Sequence, residues 1–364
     1  MTTFRKNTEF KPAYYAKVPV QQLSPHEMDT LFANGYYRNG MDAHASSIRL
    51  MNRDWVSAVM LRVRLSDFVW KKRLRKLLRS NSGLFSHSIR PFVPNEATEA
   101  LWQRFKTSVH HWASVPRLDH HLMRGQPAAN FHTHQLSVFE GEKLVGFSVF
   151  DRGATSITSM EAAYDTDYRK HSLGLYTMLL EIAWCQAQGL AFYYPGFFPK
   201  DDPMFSYKLR PGNLEFFRVA TAEWLPMEQL SHSDWVLDEV TEQHIALAGA
   251  LNEMHLANWP VFNHCKHHPD GLPSITSSTL QLAVAAQIGM GRQILLFIHW
   301  DLYRKCFQVF EPWNLQPPLK RDARGRYLPH HFFEVEPHNH FGSLQTPMEV
   351  VDLVGEIRSR VGMY

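Results

Sequence analysis

Ser156-Ile157-Thr158-Ser159-Met160-Glu161-Ala162-Ala163-Tyr164, Asp165-Thr166-Asp167-Tyr168-Arg169-Lys170-His171 and Ser172-Leu173-Gly174-Leu175-Tyr176 follow one another in the middle of this chain, and the stretch closes on Leu190-Ala191-Phe192-Tyr193-Tyr194-Pro195-Gly196. The first segment has the composition of a strand, and the second is a polar connection. From Ser172 to Gln188 the spacing predicts a helix, with Leu175, Leu179, Ile182 and Ala183 on one face and Gly189 as its stop. A further strand is expected over Leu190 to Tyr194, ended by Pro195-Gly196. Two strands therefore flank one helix, the sign of an α/β or α+β domain. The helix start would present unpaired backbone amides, which suit a phosphate or a developing oxyanion.

Working outward, Gln135 to Phe139 and Lys143 to Phe150 read as strands across a turn at Gly141. Trp55 to Leu65 is a strand with Arg62 and Arg64 alternating outward, and Ser66-Asp67 opens a helix running through Leu78. A second helix is expected over Leu101 to Trp112, after Asn95 and Thr98. Ser24-Pro25-His26-Glu27 has the form of a helix start, with a Ser cap, Pro at the first helical position and Glu three residues after the cap. Past Trp224-Leu225-Pro226 a new unit begins. It is expected to hold helices around Thr241 to Asn258 and Ser278 to Gly289, a hairpin of Gln293 to Trp300 with Tyr303 to Phe310, and a last helix over Thr346 to Val361. The expected organisation is an N-terminal region over residues 1–95, a central domain over 96–226 and an additional α+β domain over 227–364.

Composition narrows the function. The chain has 364 residues, and 38 Lys and Arg against 35 Asp and Glu leave a net charge of +3, so nucleic acid could be held only by a local patch. No apolar run approaches the roughly 20 residues that span a bilayer. Met1 to Lys11 is polar and does not read as a signal peptide, so a cytoplasmic protein is expected. Cys185, Cys265 and Cys306 are widely spaced, which argues against a disulfide framework or a Cys-built zinc site. The 21 histidines come in groups, among them His110-His111, His120-His121, His264 with His267-His268, and His330-His331. No matching third ligand completes a metal site around them, and surface or core histidines are the expected reading.

An acyl-CoA-binding acetyltransferase would carry Arg/Gln-x-x-Gly-x-Gly/Ala at the start of the central helix. Here Arg169 heads the pattern, but Ser172 replaces its first Gly. If the pattern starts at His171 instead, Tyr176 takes the last small position. Several ordered segments instead resemble the arginyl-tRNA and leucyl-tRNA protein transferases: Lys143 to Asp151, Ser172 to Tyr176, Gly189-Leu190 to Tyr194-Pro195-Gly196, and Met204-Phe205-Ser206-Tyr207-Lys208 followed by Leu209-Arg210-Pro211. Further back, Leu31-Phe32-Ala33-Asn34-Gly35-Tyr36-Tyr37-Arg38-Asn39-Gly40 and the basic helix from Ser66 to Asn81 are similar too. The resemblance covers roughly residues 23 to 225. It implies a GNAT-like acyltransferase fold and transfer of arginine or leucine from charged tRNA to the N-terminal amine of a target protein. No cofactor beyond the aminoacyl-tRNA co-substrate is implied, nor any membrane or DNA partner. The chain departs from the family in lacking its N-terminal Cys-rich motif, and the unit after Pro226 has no recognised counterpart.

The ester of a charged tRNA is already activated, so the reaction needs alignment, oxyanion stabilisation and a base of modest strength. Glu161 or Asp165 is the expected base. The amides of Leu173 and Gly174, after Ser172, would cover the oxyanion or the tRNA end, and Tyr164, Tyr194 and Tyr207 would shape the pocket. Lys208 and Arg210 would pair with an acidic N-terminus or with phosphate. Lys71, Lys72, Arg73, Arg75, Lys76 and Arg79, set around Val69, Leu74, Leu77 and Leu78, would contact the tRNA backbone. The rival readings are an acetyl-CoA-dependent N-acetyltransferase and a catalytically silent relative that binds tRNA or protein.

Overall fold

A computed structural model describes residues 10–51, 54–110, 115–124, 128–255, 257–262, 280–288, 292–313 and 336–361. The chain forms two compact units, Met1–Ala13 with Lys17–Ser46 and Ala58–Leu230, and Tyr14–Ala16 with Ser47–Ser57 and Ser231–Tyr364.

The chain begins with β1 (Tyr15–Pro19), α1 (Pro25–Ala33), β2 (Tyr37–Asn39), β3 (Asp42–Ser46), β4 (Ile48–Met51) and β5 (Asp54–Arg64). Next come α2 (Lys72–Ser82), β6 (Ser86–Pro91), α3 (Glu96–His110) and α4 (Leu118–Met123). The central run is β7 (Thr133–Glu140), β8 (Lys143–Arg152), β9 (Ser156–Tyr164), α5 (Leu173–Ala187), β10 (Phe192–Pro199), β11 (Leu214–Arg218) and β12 (Glu223–Pro226). The main sheet has the order β12-β11-β5-β10-β9-β8-β7-β6. Its one parallel pair is β9 with β10, joined by α5, and every other neighbour along that order is antiparallel. A crossover helix between parallel neighbours, inside an otherwise antiparallel sheet, is the GNAT-like α/β core that was expected.

The parallel pairing is brief. Phe192, Tyr193 and Tyr194 pair with Ser156, Ile157 and Thr158, after which the two strands part. Pro195-Gly196 does not end the strand as expected. The register shifts between Tyr193 and Gly196, and β10 continues to Pro199 against β5 alone. Proline cannot donate to a ladder, and Gly196 adopts a positive φ of 82°, so the dipeptide makes a bulge at the point of separation.

Each face of the sheet has its own helix. In the β8–β9 register Phe150 lies opposite Ser159 and Val149 opposite Glu161, so alternate residues face opposite sides. Phe150 meets Trp184 of α5, whereas Glu161 meets Lys106 of α3. Apolar residues surround α5, and Leu173, Tyr176, Leu179, Ile182 and Cys185 are all fully buried or nearly so. The Ser24 cap stands as expected, with Ser24 and Glu27 forming a reciprocal capping box before Pro25.

Other expectations are corrected. The Ser66 hydroxyl bonds Asp67 rather than capping a helix, Leu65–Asp67 is a short 3-10 turn, and α2 begins only at Lys72. Val69 therefore lies outside the helix and is 62% exposed. Arg62 does not point to solvent; it is buried, paired with Glu215 and packed between Phe192 and Trp224. Asn95 accepts from the Thr98 amide, so α3 starts at Glu96, earlier than Leu101; Trp112 lies outside the described residues.

In the second unit α6 (Val236–Glu253) is followed by β13 (Ala257–Phe262), β14 (Leu280–Ile288), β15 (Arg292–Asp301), β16 (Cys306–Trp313), β17 (Glu336–Leu344) and α7 (Pro347–Val361). The expected helix over Ser278 to Gly289 is instead the strand β14, paired antiparallel on both sides with β13 and β15. Leu, Gln and Ala favour helix locally, but non-local pairing in a sheet overrides that preference. The hairpin of β15 and β16 and the last helix stand as expected. Leu296, Ile298, Phe307 and Val309 from the sheet form one core with Val240, Leu247, Val350 and Val354 from the two helices.

Under β2 and β8 lies an ion pair with both side chains fully buried, Arg38 with Asp151 at 2.7 Å. Arg38 also donates to Gly40 O and Leu122 O and packs over Phe131, and Thr133 donates to Asp151. Removing one partner leaves an uncompensated buried charge. Asp151→Ala should lower unfolding free energy by about 3–5 kcal/mol in urea denaturation. A loss below about 1 kcal/mol would show the pair to be solvated.

Candidate active site

The α5 N-terminus is built on an unusual residue. Ser172 adopts φ 51° and ψ 48°, the left-handed region, and its side chain caps nothing. The amides of Leu173, Gly174 and Leu175 meet no acceptor among the described residues. They fit an anionic oxygen. A methyl group on Gly174 would stand 3.8 Å from the Tyr164 ring, which packs against Phe105 of α3 at 5.0 Å between centroids. Tyr164 thus links the helix start to an open cleft of about 850 Å³ bounded by Arg104, Phe105, Ser108, Lys143 and Tyr164 to Asp167. Ser172 and Leu173 are not among the residues that line it.

The two carboxylates expected to act as base are both held by cations. Asp165 accepts from Lys143 at 2.9 Å and from the Asp167 amide at 3.1 Å. Burial opposes its ionisation, but these donors outweigh burial and lower its pKa. Glu161 lies between Lys106 and His121, each at 3.1 Å. Burial would raise its pKa, yet the two partners bring it down to about 2. Each is a weaker base than an ordinary carboxylate. Glu161 instead orients Lys106 and His121, whose ring stacks on Trp102 at 5.8 Å.

The other expected residues divide. Tyr207 is close enough to Glu161, Tyr164 and Glu181 for all three to raise its pKa after burial has done so. Lys208 is 7% exposed, donates to Phe197 O at 2.9 Å and packs on Phe197 and Phe205, so it does not reach solvent. Arg210 is exposed. Tyr194 lies apart, buried between Phe32 and Trp224, with burial pushing its phenol to about 12. Glu181 was missed. It is fully buried beneath the parting of β9 and β10, and only its position as an acid inside an apolar helix could have signalled it.

The basic helix α2 adjoins this site. Asn81 donates to His171 O at 2.8 Å, and Ser82 meets the Tyr176 hydroxyl at 3.1 Å. Lys71, Lys72, Arg73, Arg75, Lys76 and Arg79 are exposed and enter no ion pair among the described residues. A shallow hollow of about 580 Å³ lies against Trp70, Lys72, Arg75, Leu78 and Arg79. No three His, Cys, Asp or Glu side chains among the described residues converge to hold a metal ion. His111, His264, Cys265, His267, His268, His330 and His331 lie outside those residues. No helix among them is long and apolar enough to cross a membrane.

Residues 97–218, which carry the cleft and α5, match the family model for the arginine-tRNA-protein transferase C terminus. An aspartate/glutamate leucyltransferase of Vibrio cholerae serotype O1 is 28% identical over 191 residues, covering 52% of this chain and 79% of the relative. The first unit of this chain is thus similar, over this region, to the arginyl-tRNA and leucyl-tRNA protein transferases. Arginyl-tRNA–protein transferase 1 of Saccharomyces cerevisiae is 32% identical over 97 residues, 27% of this chain and 19% of that relative. Among solved structures, a GCN5-related N-acetyltransferase from Sphaerobacter thermophilus aligns with a TM-score of 0.30 at 12% identity, over 56% of this chain and 57% of that one. Within the matched region, the segments from Lys143 to Asp151 and from Ser172 to Tyr176 that carried the resemblance form β8 and the start of α5.

Because the Glu161 pKa is lowered on folding, its stabilisation is full above the ordinary carboxylate range and disappears as pH falls toward 2. Glu161→Gln should destabilise the protein at pH 7 by at most about 3 kcal/mol. The gap between variant and parent in thermal unfolding should close between roughly pH 4.5 and pH 2; a gap independent of pH would refute the ion pair.

Proposed function

We propose that this protein transfers an amino acid, arginine or leucine, from charged tRNA to the N-terminal amine of a target protein. The reading rests on the amide-bearing start of α5 adjoining the cleft at Tyr164, with a cationic helix beside it. The target's N-terminal amine enters the cleft, where Arg104 and Lys143 offer positive charge to an acidic first residue and Asp165 and Asp167 offer acceptors to the ammonium. The neutral amine attacks the ester carbonyl. The amides of Leu173 and Gly174 receive the developing oxyanion. As the tetrahedral intermediate collapses, an amide bond forms, the ester C–O bond breaks and the ribose hydroxyl of the tRNA leaves with a proton. The proton that the ammonium sheds to become this neutral amine passes to solvent or to the cleft's acceptors, and the proton on the departing hydroxyl is the one the attacking nitrogen loses. Alignment supplies much of the rate, since the ester is already reactive.

The cations of α2 hold the tRNA backbone. Phosphate contacts of this kind give an affinity that falls steeply with salt.

Incubating the protein with charged tRNA, labelled amino acid and peptides beginning with Asp, Glu or Lys tests this. Label on the peptide N-terminus is expected for the acidic peptides, and Arg104→Ala should weaken acceptor KM. Absence of label with every pair, or micromolar binding of acetyl-CoA instead, would overturn the proposal. The double substitution Lys72→Glu with Arg75→Glu should raise KM for charged tRNA and reduce the slope of log KM against log salt by about one per lost phosphate contact. An unchanged salt slope would remove α2 from the interface.

A further inference from the structure

The transfer step described above makes no use of Glu181. Its side chain leaves α5 toward the sheet face that also carries Ser148 of β8 and Ser159 of β9, and it is only 1% exposed. The Tyr193 hydroxyl donates to Oε2 at 2.7 Å. The other oxygen, Oε1, is sealed from solvent without a hydrogen bond among the described residues, and the same is true of Ser148 Oγ. Ser148 and Ser159 stand near enough to favour the charged form without completing that bond. Burial dominates and raises the Glu181 pKa to about 7, with Lys208 the smallest of the opposing influences.

This is a desolvated carboxyl whose cost has not been met. It lies under the gap where β9 and β10 separate, bonded to Tyr193 just before the bulge. A methyl group on Gly196, at the edge of that gap, would stand 3.5 Å from both Ser159 O and Lys208 Nζ. Lys208 thus occupies the gap itself.

An arriving guanidinium would supply what the carboxyl lacks, because its planar donors can engage Glu181 Oε1 and the Ser148 hydroxyl together. A leucine side chain would leave both groups as they are, and would add the cost of placing hydrocarbon against a charge. We propose that Glu181, with Ser148, receives the side chain of the amino acid being transferred, and that the donor is therefore arginyl-tRNA. Entry moves Lys208 back from the gap, so one cation beside Glu181 is exchanged for another and the charge balance is kept. The inference rests on the transferase reading and selects between its two donors.

The groups facing Glu181 are Tyr193 from β10, Tyr207 and Lys208 from the segment after β10, and Cys185 on α5 itself. Burial raises Tyr193, Tyr207 and Cys185, which stay neutral near pH 7. Only an ionised Glu181 binds the guanidinium, so donor binding strengthens as pH rises through 7 and weakens below it.

The full-length protein, an acidic-N-terminus peptide and equal amounts of arginyl-tRNA and leucyl-tRNA make the test, with mass spectrometry reading the residue added. Arginine is expected on the peptide, with KM for arginyl-tRNA falling about tenfold from pH 6 to pH 8. Glu181→Gln should flatten that dependence and raise KM at pH 8 at least tenfold, with circular dichroism confirming that the variant is folded. Leucine added as readily as arginine by the parent protein overturns the inference while leaving the transferase reading intact, and needs no variant. A folded Glu181→Gln protein that keeps the pH-dependent KM also overturns it. No labelling from either donor overturns the transferase reading and the inference with it.

Discussion

The separation of β9 from β10 organises the first unit. Parallel strands normally share a ladder along their length, but this pair gives it up after Tyr194 because Pro195 has no amide proton and Gly196 turns the backbone with a positive φ. The freed edge must be satisfied. Lys208 donates to Phe197 O past the parting, while β10 stays paired with β5 on its other edge before and after it. Beneath the parting lie polar side chains in the middle of a sheet, Glu181, Ser148 and Tyr193, all of them buried. Glu181 is held at that parting by the Tyr193 hydroxyl, at 2.7 Å.

Around the opening, three carboxyl groups of ordinary chemistry are brought to different states by their neighbours. Glu161 faces α3, where Lys106 and His121 overcome burial. Asp165 at the cleft edge is tied to Lys143. Glu181 projects from α5 onto the opposite face of the sheet, where nearby hydroxyls and the more weakly acting Lys208 do not offset desolvation, so burial prevails. Ser159 and Glu161, two apart on β9, would share a face by simple alternation, and the register shift between Val149 and Phe150 sets Ser159 toward α5 and Glu161 toward α3. Electrostatic roles here follow from sheet geometry more than from residue type.

That dependence explains what could be read in advance. The Ser172 to Gln188 helix, the strands around Gly141 and the Ser24 cap depend on local spacing and capping, and each was legible. The strand β14 was not, since Leu280 to Ile288 owes its conformation to two partners distant in sequence. Arg62 looked like a solvent-facing residue because strand alternation marks two faces but does not say that the second one is also covered. Tyr164 and Asp165 come to line the cleft because they end a strand just before a helix start, which local spacing displays. The burial of Lys208 and the isolation of Tyr194 depend on where β10 goes after its bulge, which no motif specifies. Glu181 was hidden for the opposite reason: a lone acid in an apolar helix reads as tolerated polarity until its missing hydrogen bonds are visible.

Ser172 in the left-handed region has a cost, roughly 1–2 kcal/mol relative to ordinary helical backbone for a residue with a Cβ. A coenzyme A enzyme takes much of its grip from one pyrophosphate at this turn, where glycine permits the closest approach, so such a substitution would act on its principal anchor. A tRNA is different because its phosphates are spread over a long surface and many modest contacts sum. On the proposed transfer, the exposed cations of α2, tied through Asn81 to the carbonyl of His171 just before Ser172, would place that distributed grip beside the same turn. The degenerate loop and the basic helix would then be two sides of one arrangement, in which binding energy is moved off the turn and the turn is left to position a single ester.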